Sequence, residues 1–289
     1  MRSQISNLEQ YIRNLSRSVY LKMSDRKPLQ GFTNCFPCVF VLSTGRVGTQ
    51  TLARLYGLSK NVNAYHEPLP NLYRFSKLSY WYAEDQMAQD IFSEGFLAMR
   101  SDLLHHALAH HKGYVETSPQ ATFLAPSIVQ TIPQVKFIHL VRNPKDVVRS
   151  GMRRKWYDGH RLDKNRITPV PGSKLHERWL QYSPFQKNLW LWNETNRWIL
   201  NFLTTVPPHS KILIHAEDIF AASPDALKRI FDFIHASLPS ERKIRRVLGR
   251  RLNAQQSGVF PEFEQWDSNR RKILIEMCGD TANQLGYHI

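Results

Sequence analysis

Arg46 stands between two glycines in VFVLSTGRVGTQTLARLYGL, residues 39–58, a stretch that reads as a strand, a glycine turn and a helix. Backbone N–H groups at a helix start form a cradle for an anion, and glycines let the chain wrap closely around it. Gly45 and Gly48 supply that freedom, the main chain of Thr44 and Val47 completes the turn, and Thr49, Gln50 and Thr51 add donors. A nucleoside-triphosphatase loop would carry Lys-Thr where this chain has Gln50-Thr51, so the usual phosphate-gripping lysine is missing. A second element lies further on: Arg142 ends an apolar run, and Ser150 follows eight positions later. An arginine fork and a hydroxyl converging on one place suit a second, separate phosphate. Two anion sites at the ends of two strands describe a nucleotide phosphorylated at both its 5′ and 3′ ends. The pair His66-Glu67 adds an imidazole and a carboxylate, the groups that take a proton in general-base chemistry.

These residues need elements to hold them. Cys38–Leu42 is an unbroken apolar run of the kind buried on both faces of a parallel sheet. Further strands are expected at 61–65, Gly113–Glu116, 135–141 and in KILIHAED from residue 211. Between them lie helices: 48–58, one opened by Asn143-Pro144, and one opened by Ser223-Pro224-Asp225 with Leu227, Ile230, Phe231 and Ile234 on one face. Leu189, Trp192, Asn196, Ile199 and Leu203 form a core stripe at helical spacing. Strands alternating with helices predict an α/β fold, a central parallel sheet of about five strands flanked by helices. In such sheets ligands bind at the carboxyl ends of the strands, which is where all the residues above fall. With no internal repeat or linker, residues 1–289 read as one domain. Residues 1–30 form an N-terminal helical extension, with Ile5, Leu8, Ile12, Leu15 and Val19 as its apolar stripe. That stripe is expected to pack on the body of the protein, with a homodimer contact or a membrane-surface helix as its alternatives.

The formal charge of +15 points to anionic partners. The basic residues are scattered and form no low-complexity tail, which argues against nucleic acid as the partner. Cys35 and Cys38 have no second pair to complete a zinc set, and they precede a strand where a redox pair would open a helix. His105, His106, His110 and His111 read as a solvated helix face, so no metal site is expected. The first 25 residues hold neither a long apolar run nor a cleavage signature. The expectation is therefore no stable membrane insertion and a cytoplasmic protein.

GRVGTQTL followed by HLVRNPKDVVRSGM resembles the two cofactor motifs of the sulfotransferases that use 3′-phosphoadenosine 5′-phosphosulfate (PAPS) and release the bisphosphate PAP. In that family the first loop, R/K-S-G-T-T, cradles the 5′-phosphosulfate; here Val47 replaces Ser and Gln50 replaces Thr. The second motif, R-N-x-x-D-x-x-x-S, grips the 3′-phosphate and is matched by Arg142, Asn143, Asp146 and Ser150. The resemblance runs from about Val39 to the terminal LGYHI. It implies a P-loop-like nucleotide-binding fold, a sulfuryl group stabilised by fixed cations and N–H donors without a metal, and Arg46 acting on that group.

The resemblance also implies a base at the end of strand two: Glu67, as in the tyrosyl-protein and glycan branches, with His66 as the alternative. YVETSP resembles the E-K-S-P segment of the heparan sulfate branch, with Thr117 in place of the lysine and Glu116 left to orient the acceptor. Tyr73, Tyr80 and Trp81, in the aromatic segment 73–82, and the basic loop 153–176 are expected to wall the acceptor pocket. The R-K-G-x-x-G segment of the cytosolic branch is absent, and Arg250-Arg251 or residues near Gly258 stand in for it. The acceptor is expected to be a small molecule, a natural product or metabolite, with a glycan or lipid as alternative. A P-loop kinase and a nucleic-acid-binding protein are the rivals from other classes.

Overall fold

The computed structural model describes residues 31–33, 35–249 and 258–289. The expected N-terminal helix and Arg250-Arg251 lie outside these residues. Five parallel strands, β1 (Cys38–Leu42), β2 (Val62–Tyr65), β3 (Gly113–Glu116), β4 (Lys136–Val141) and β5 (Lys211–His215), form one sheet in the order β2-β3-β1-β4-β5. The expected α/β architecture is thus present. Side chains alternate across a strand, and β1 uses both faces. Val39 and Val41 join an apolar layer with Ile138, Leu140 and Ile214, whereas Cys38, Phe40 and Leu42 join a second layer with Tyr114 and Phe137. Burial on both sides explains why the strand is continuously apolar.

The helices follow as α1 (Thr49–Tyr56), α2 (Tyr73–Trp81), α3 (Gln86–Ala109), α4 (Ala125–Thr131), α5 (Pro144–Arg153) and α6 (Lys174–Arg178). Then come α7 (Pro184–Thr204), α8 (Ala216–Phe220), α9 (Pro224–Phe233), α10 (Glu241–Leu248) and α11 (Ser268–Gln284). Local chemistry sets several starts. Asn143 accepts from the Lys145 N–H with Pro144 at the first helical position, and Ser183 and Gln186 close a capping box on α7. The predicted α7 stripe is buried from Leu189 to Leu203. Its Asn196 accepts from His139 of β4 at 2.9 Å, and burial lowers the pKa of that histidine to about 4, so it sits neutral in the core.

One boundary is corrected. KILIHAED does not run to its end as a strand: β5 stops at His215 and Ala216 begins α8. The turn into helix puts the Glu217 carboxylate where it accepts from the Asn143 N–H at 2.8 Å and the Tyr287 hydroxyl at 2.9 Å. Glu217 therefore ties the start of α5 to the C-terminal segment. Among the described residues no helix is long and apolar enough to cross a membrane.

Candidate functional site

The turn after β1 is held by Thr122. Thr122 both receives the Ser43 N–H and donates to the Ser43 carbonyl, each at 3.0 Å. Gly45, Arg46 and Gly48 all have positive φ, at 80°, 61° and 89°. For Arg46 this is a conformation that L-residues rarely adopt. The chain thereby curls into a concavity of backbone N–H groups. Gly48 precedes α1 and supplies no side-chain cap to it. The φ of Gly48 favours glycine, and a Cβ there would also come within 2.7 Å of the tip of the exposed Phe220 ring, which would have to shift. Of the predicted cradle residues, Val47, Thr49 and Thr51 are buried, and Val47 joins the apolar core.

The second motif closes on the first. Arg46 Nε donates to Ser150 Oγ at 2.9 Å, and Arg142 Nη1 donates to the Arg46 carbonyl at 3.4 Å. Two residues assigned by sequence to different anions thus meet in one basic surface. Burial, then the charges of Arg154 and Arg142, lower the Arg46 pKa to about 10, which still leaves it protonated at neutral pH; Glu67 acts in the opposite direction. Arg142 is loosely held. Its ion pair to Asp146 is also 3.4 Å long, its Nε is buried without a hydrogen-bond partner, and its guanidinium lies 5.4 Å from the centre of the Phe220 ring. A planar guanidinium with an unused donor, beside a helix start without a side-chain cap, fits a ligand carrying two separate anionic groups.

At the end of β2, Glu67 has φ 48° and accepts from the Tyr73 hydroxyl at 3.0 Å. Burial first, and then Glu67, push the Tyr73 pKa up to about 12, so Tyr73 remains the donor. His66 points its Nδ1 at the Thr117 carbonyl, 3.1 Å away, and at the Thr117 hydroxyl, 3.2 Å away. The residue that replaces the lysine of the family motif is thus fully buried and serves as the seat of His66.

One expected acceptor contact is corrected. Glu116 is fully buried: it accepts from Arg100 at 2.7 and 3.0 Å and from the Tyr114 hydroxyl at 2.6 Å. It therefore cannot reach an acceptor. Sequence reasoning missed its partner, although Arg100 lies on the same helix face as Phe96 and Leu104 of α3, a visible apolar stripe. Tyr80 donates to Glu194 at 2.9 Å and packs edge-on against Phe123 and Trp190. Trp81 donates to the Thr168 carbonyl at 3.0 Å and so fastens α2 to the basic loop. Gly258 does sit beside the second motif, its carbonyl accepting from Arg153 at 3.0 Å. The His106 and His110 rings lie 4.2 Å apart, and no group of three residues able to hold a metal ion occurs among the described residues.

The family model described as the sulfotransferase family matches residues 37–240. No curated protein matches the chain. Among solved structures, the sulfotransferase domain from the curacin biosynthetic pathway is 18% identical with a TM-score of 0.54, over 91% of this chain and 100% of that one. The sulfotransferase domain from the Synechococcus PCC 7002 olefin synthase is 17% identical with a TM-score of 0.52, over the same shares. The sulfotransferase STF9 from Mycobacterium avium is 11% identical with a TM-score of 0.53, over 95% of this chain and 82% of that one. At these identities the likeness is one of fold.

Proposed function

The chain belongs to the sulfotransferase family, and from that premise we propose that it moves a sulfuryl group from PAPS to a hydroxyl or amine of a small-molecule acceptor. The observation that carries the donor assignment is Arg142, with a buried, partnerless Nε and long bonds elsewhere, beside the start of α1, which has no side-chain cap. The turn Thr44–Thr51 would hold the 5′ end through its N–H groups, and Arg142 with Ser150 would hold the 3′-phosphate. Bound there, the nucleotide would supply an activated sulfuryl group.

The chain's own part is to place cations and remove a proton. Arg46, fixed by Ser150, offers positive charge at the mouth of the turn, and preorganised charge needs no rearrangement during transfer. Glu67 takes the acceptor proton. Tyr73 fixes the orientation of its carboxylate, and its charge is felt by Arg46. His66, anchored through Nδ1 to Thr117, is the alternative base.

Two measurements test this reading. PAP should bind by calorimetry without magnesium; magnesium-dependent ATP binding in its place would move the protein to the kinase class. Glu67→Gln should keep PAP affinity and lose about 10²–10⁴-fold in turnover. An active Glu67→Gln beside a dead His66→Gln would transfer the role to His66.

A further inference from the structure

A cation near the glycine turn is left unused by the proposed transfer chemistry. Arg166 belongs to the connection between α5 and α6, and its side chain is only 13% exposed. Its guanidinium lies 3.9 Å from the centre of the Trp156 ring and 5.6 Å from that of Tyr157. Trp156 in turn lines the glycine turn: a Cβ on Gly45 would lie 3.8 Å from its ring. One aromatic ring thus separates Arg166 from the cradle. On its other flank the same connection is pinned to α2, where Lys77 donates to the Lys164 carbonyl and Trp81 to that of Thr168, both at 3.0 Å. Helix α2 begins at Tyr73, the residue that holds Glu67. Tyr73 and Arg166 are close enough for each charge to act on the other. Arg166 therefore stands between the cradle and the proposed base.

The loop is built to present it. Asp163 Oδ2 accepts from the His160 N–H at 2.9 Å, and His160 Nδ1 accepts from the Leu162 N–H at 3.2 Å. Arg166 itself is more loosely engaged, with Nε 3.3 Å from Asp163 Oδ1 and Nη2 3.4 Å from His160 Nδ1. Neither contact is the paired fork that a guanidinium makes with a carboxylate. The aromatic faces, Asp163 and His160 leave Nη1 as the donor for a ligand. Because Asp163 already offsets part of the charge, the site suits a monoanion.

We propose that Arg166 binds a carboxylate on the acceptor, so that the acceptors are hydroxy or amino acids in the broad chemical sense. The identity of that molecule as an acceptor rests on the sulfotransfer reading, whereas the carboxylate site does not. The test is a calorimetric titration of the full chain, with and without PAP, using 4-hydroxyphenylalkanoates of increasing chain length and the matching primary amides. The acid is expected to bind at least about tenfold more tightly than its amide. Arg166→Gln should erase that difference while leaving the affinities for the amide and PAP in place. Asp163→Asn should widen it, a change of opposite sign that misfolding cannot imitate. Equal binding of acid and amide to the wild type, binding of neither, parallel losses in Arg166→Gln, or a narrower gap in Asp163→Asn would each overturn the assignment. Failure of PAP to bind the wild type would strike the donor reading instead, and the acid–amide difference would still decide the role of Arg166.

Discussion

Arg100 and Arg142 both serve strand ends, and they are opposites. Arg100 meets Glu116 through two close bonds in a fully buried pair, and its Nη1 also donates to the Pro70 carbonyl at 2.7 Å. Arg142 makes two contacts of 3.4 Å and keeps a buried Nε without a partner. Buried polar groups are ordinarily satisfied, so under the proposed function the second pattern is that of an arginine whose partner is the nucleotide. The first marks an arginine that holds the chain itself, because Pro70 lies in the turn that carries Glu67. Saturation of the donors distinguishes Arg100 from Arg142 where residue type and strand position do not.

Substitution should split the two. The largest effect is expected for Arg100→Met, which strands the Glu116 carboxylate in the core and should lower stability by about 3–5 kcal/mol in a denaturant titration. Adding Glu116→Leu should recover much of that loss, and failure to recover would mean that the pair does more than hold the fold. Arg142→Ala should leave stability within about 0.5 kcal/mol. Its affinity for PAP should fall by about 1.5–3 kcal/mol, with little change for an analogue lacking the 3′-phosphate. Equal losses for both nucleotides would erase the contrast between the two arginines. The smallest effect is expected for Phe220→Leu, which removes the ring beside Arg142 and should weaken PAP by about 0.5–1 kcal/mol without loss of fold.

The frame was legible for local reasons. The ends of β1 and β3 match expectation, and for β1 the apolar run stops where Ser43 begins. Asn143-Pro144 announces α5 because a cap and a fixed φ act within the first turn. Contacts between distant segments were not legible. Glu116 reads as a reactive carboxylate until Arg100, from another element, is seen to neutralise it. The one available signal was a charged residue in register with Phe96 and Leu104, since a cation on an apolar face needs a buried anion. Tyr80 and Trp81 look like pocket walls by composition, and their polar atoms fasten α2 to α7 and to the basic loop. Arg166 was indistinguishable from the other basic residues of that loop until its stacking on Trp156 placed it beside the glycine turn.

The strand order also governs when the cleft can exist. Arg46 and Arg142 touch across 96 positions of sequence, and each follows a strand that pairs in parallel with a distant one. Closing so long a stretch costs chain entropy before any contact rewards it, and sheets of this kind assemble slowly. A nascent chain that has emerged only as far as α4 holds the whole glycine turn, but β4 has not yet come to lie beside β1. Competence to hold the proposed nucleotide should therefore arise late in folding, with sheet closure, well after the individual helices have formed.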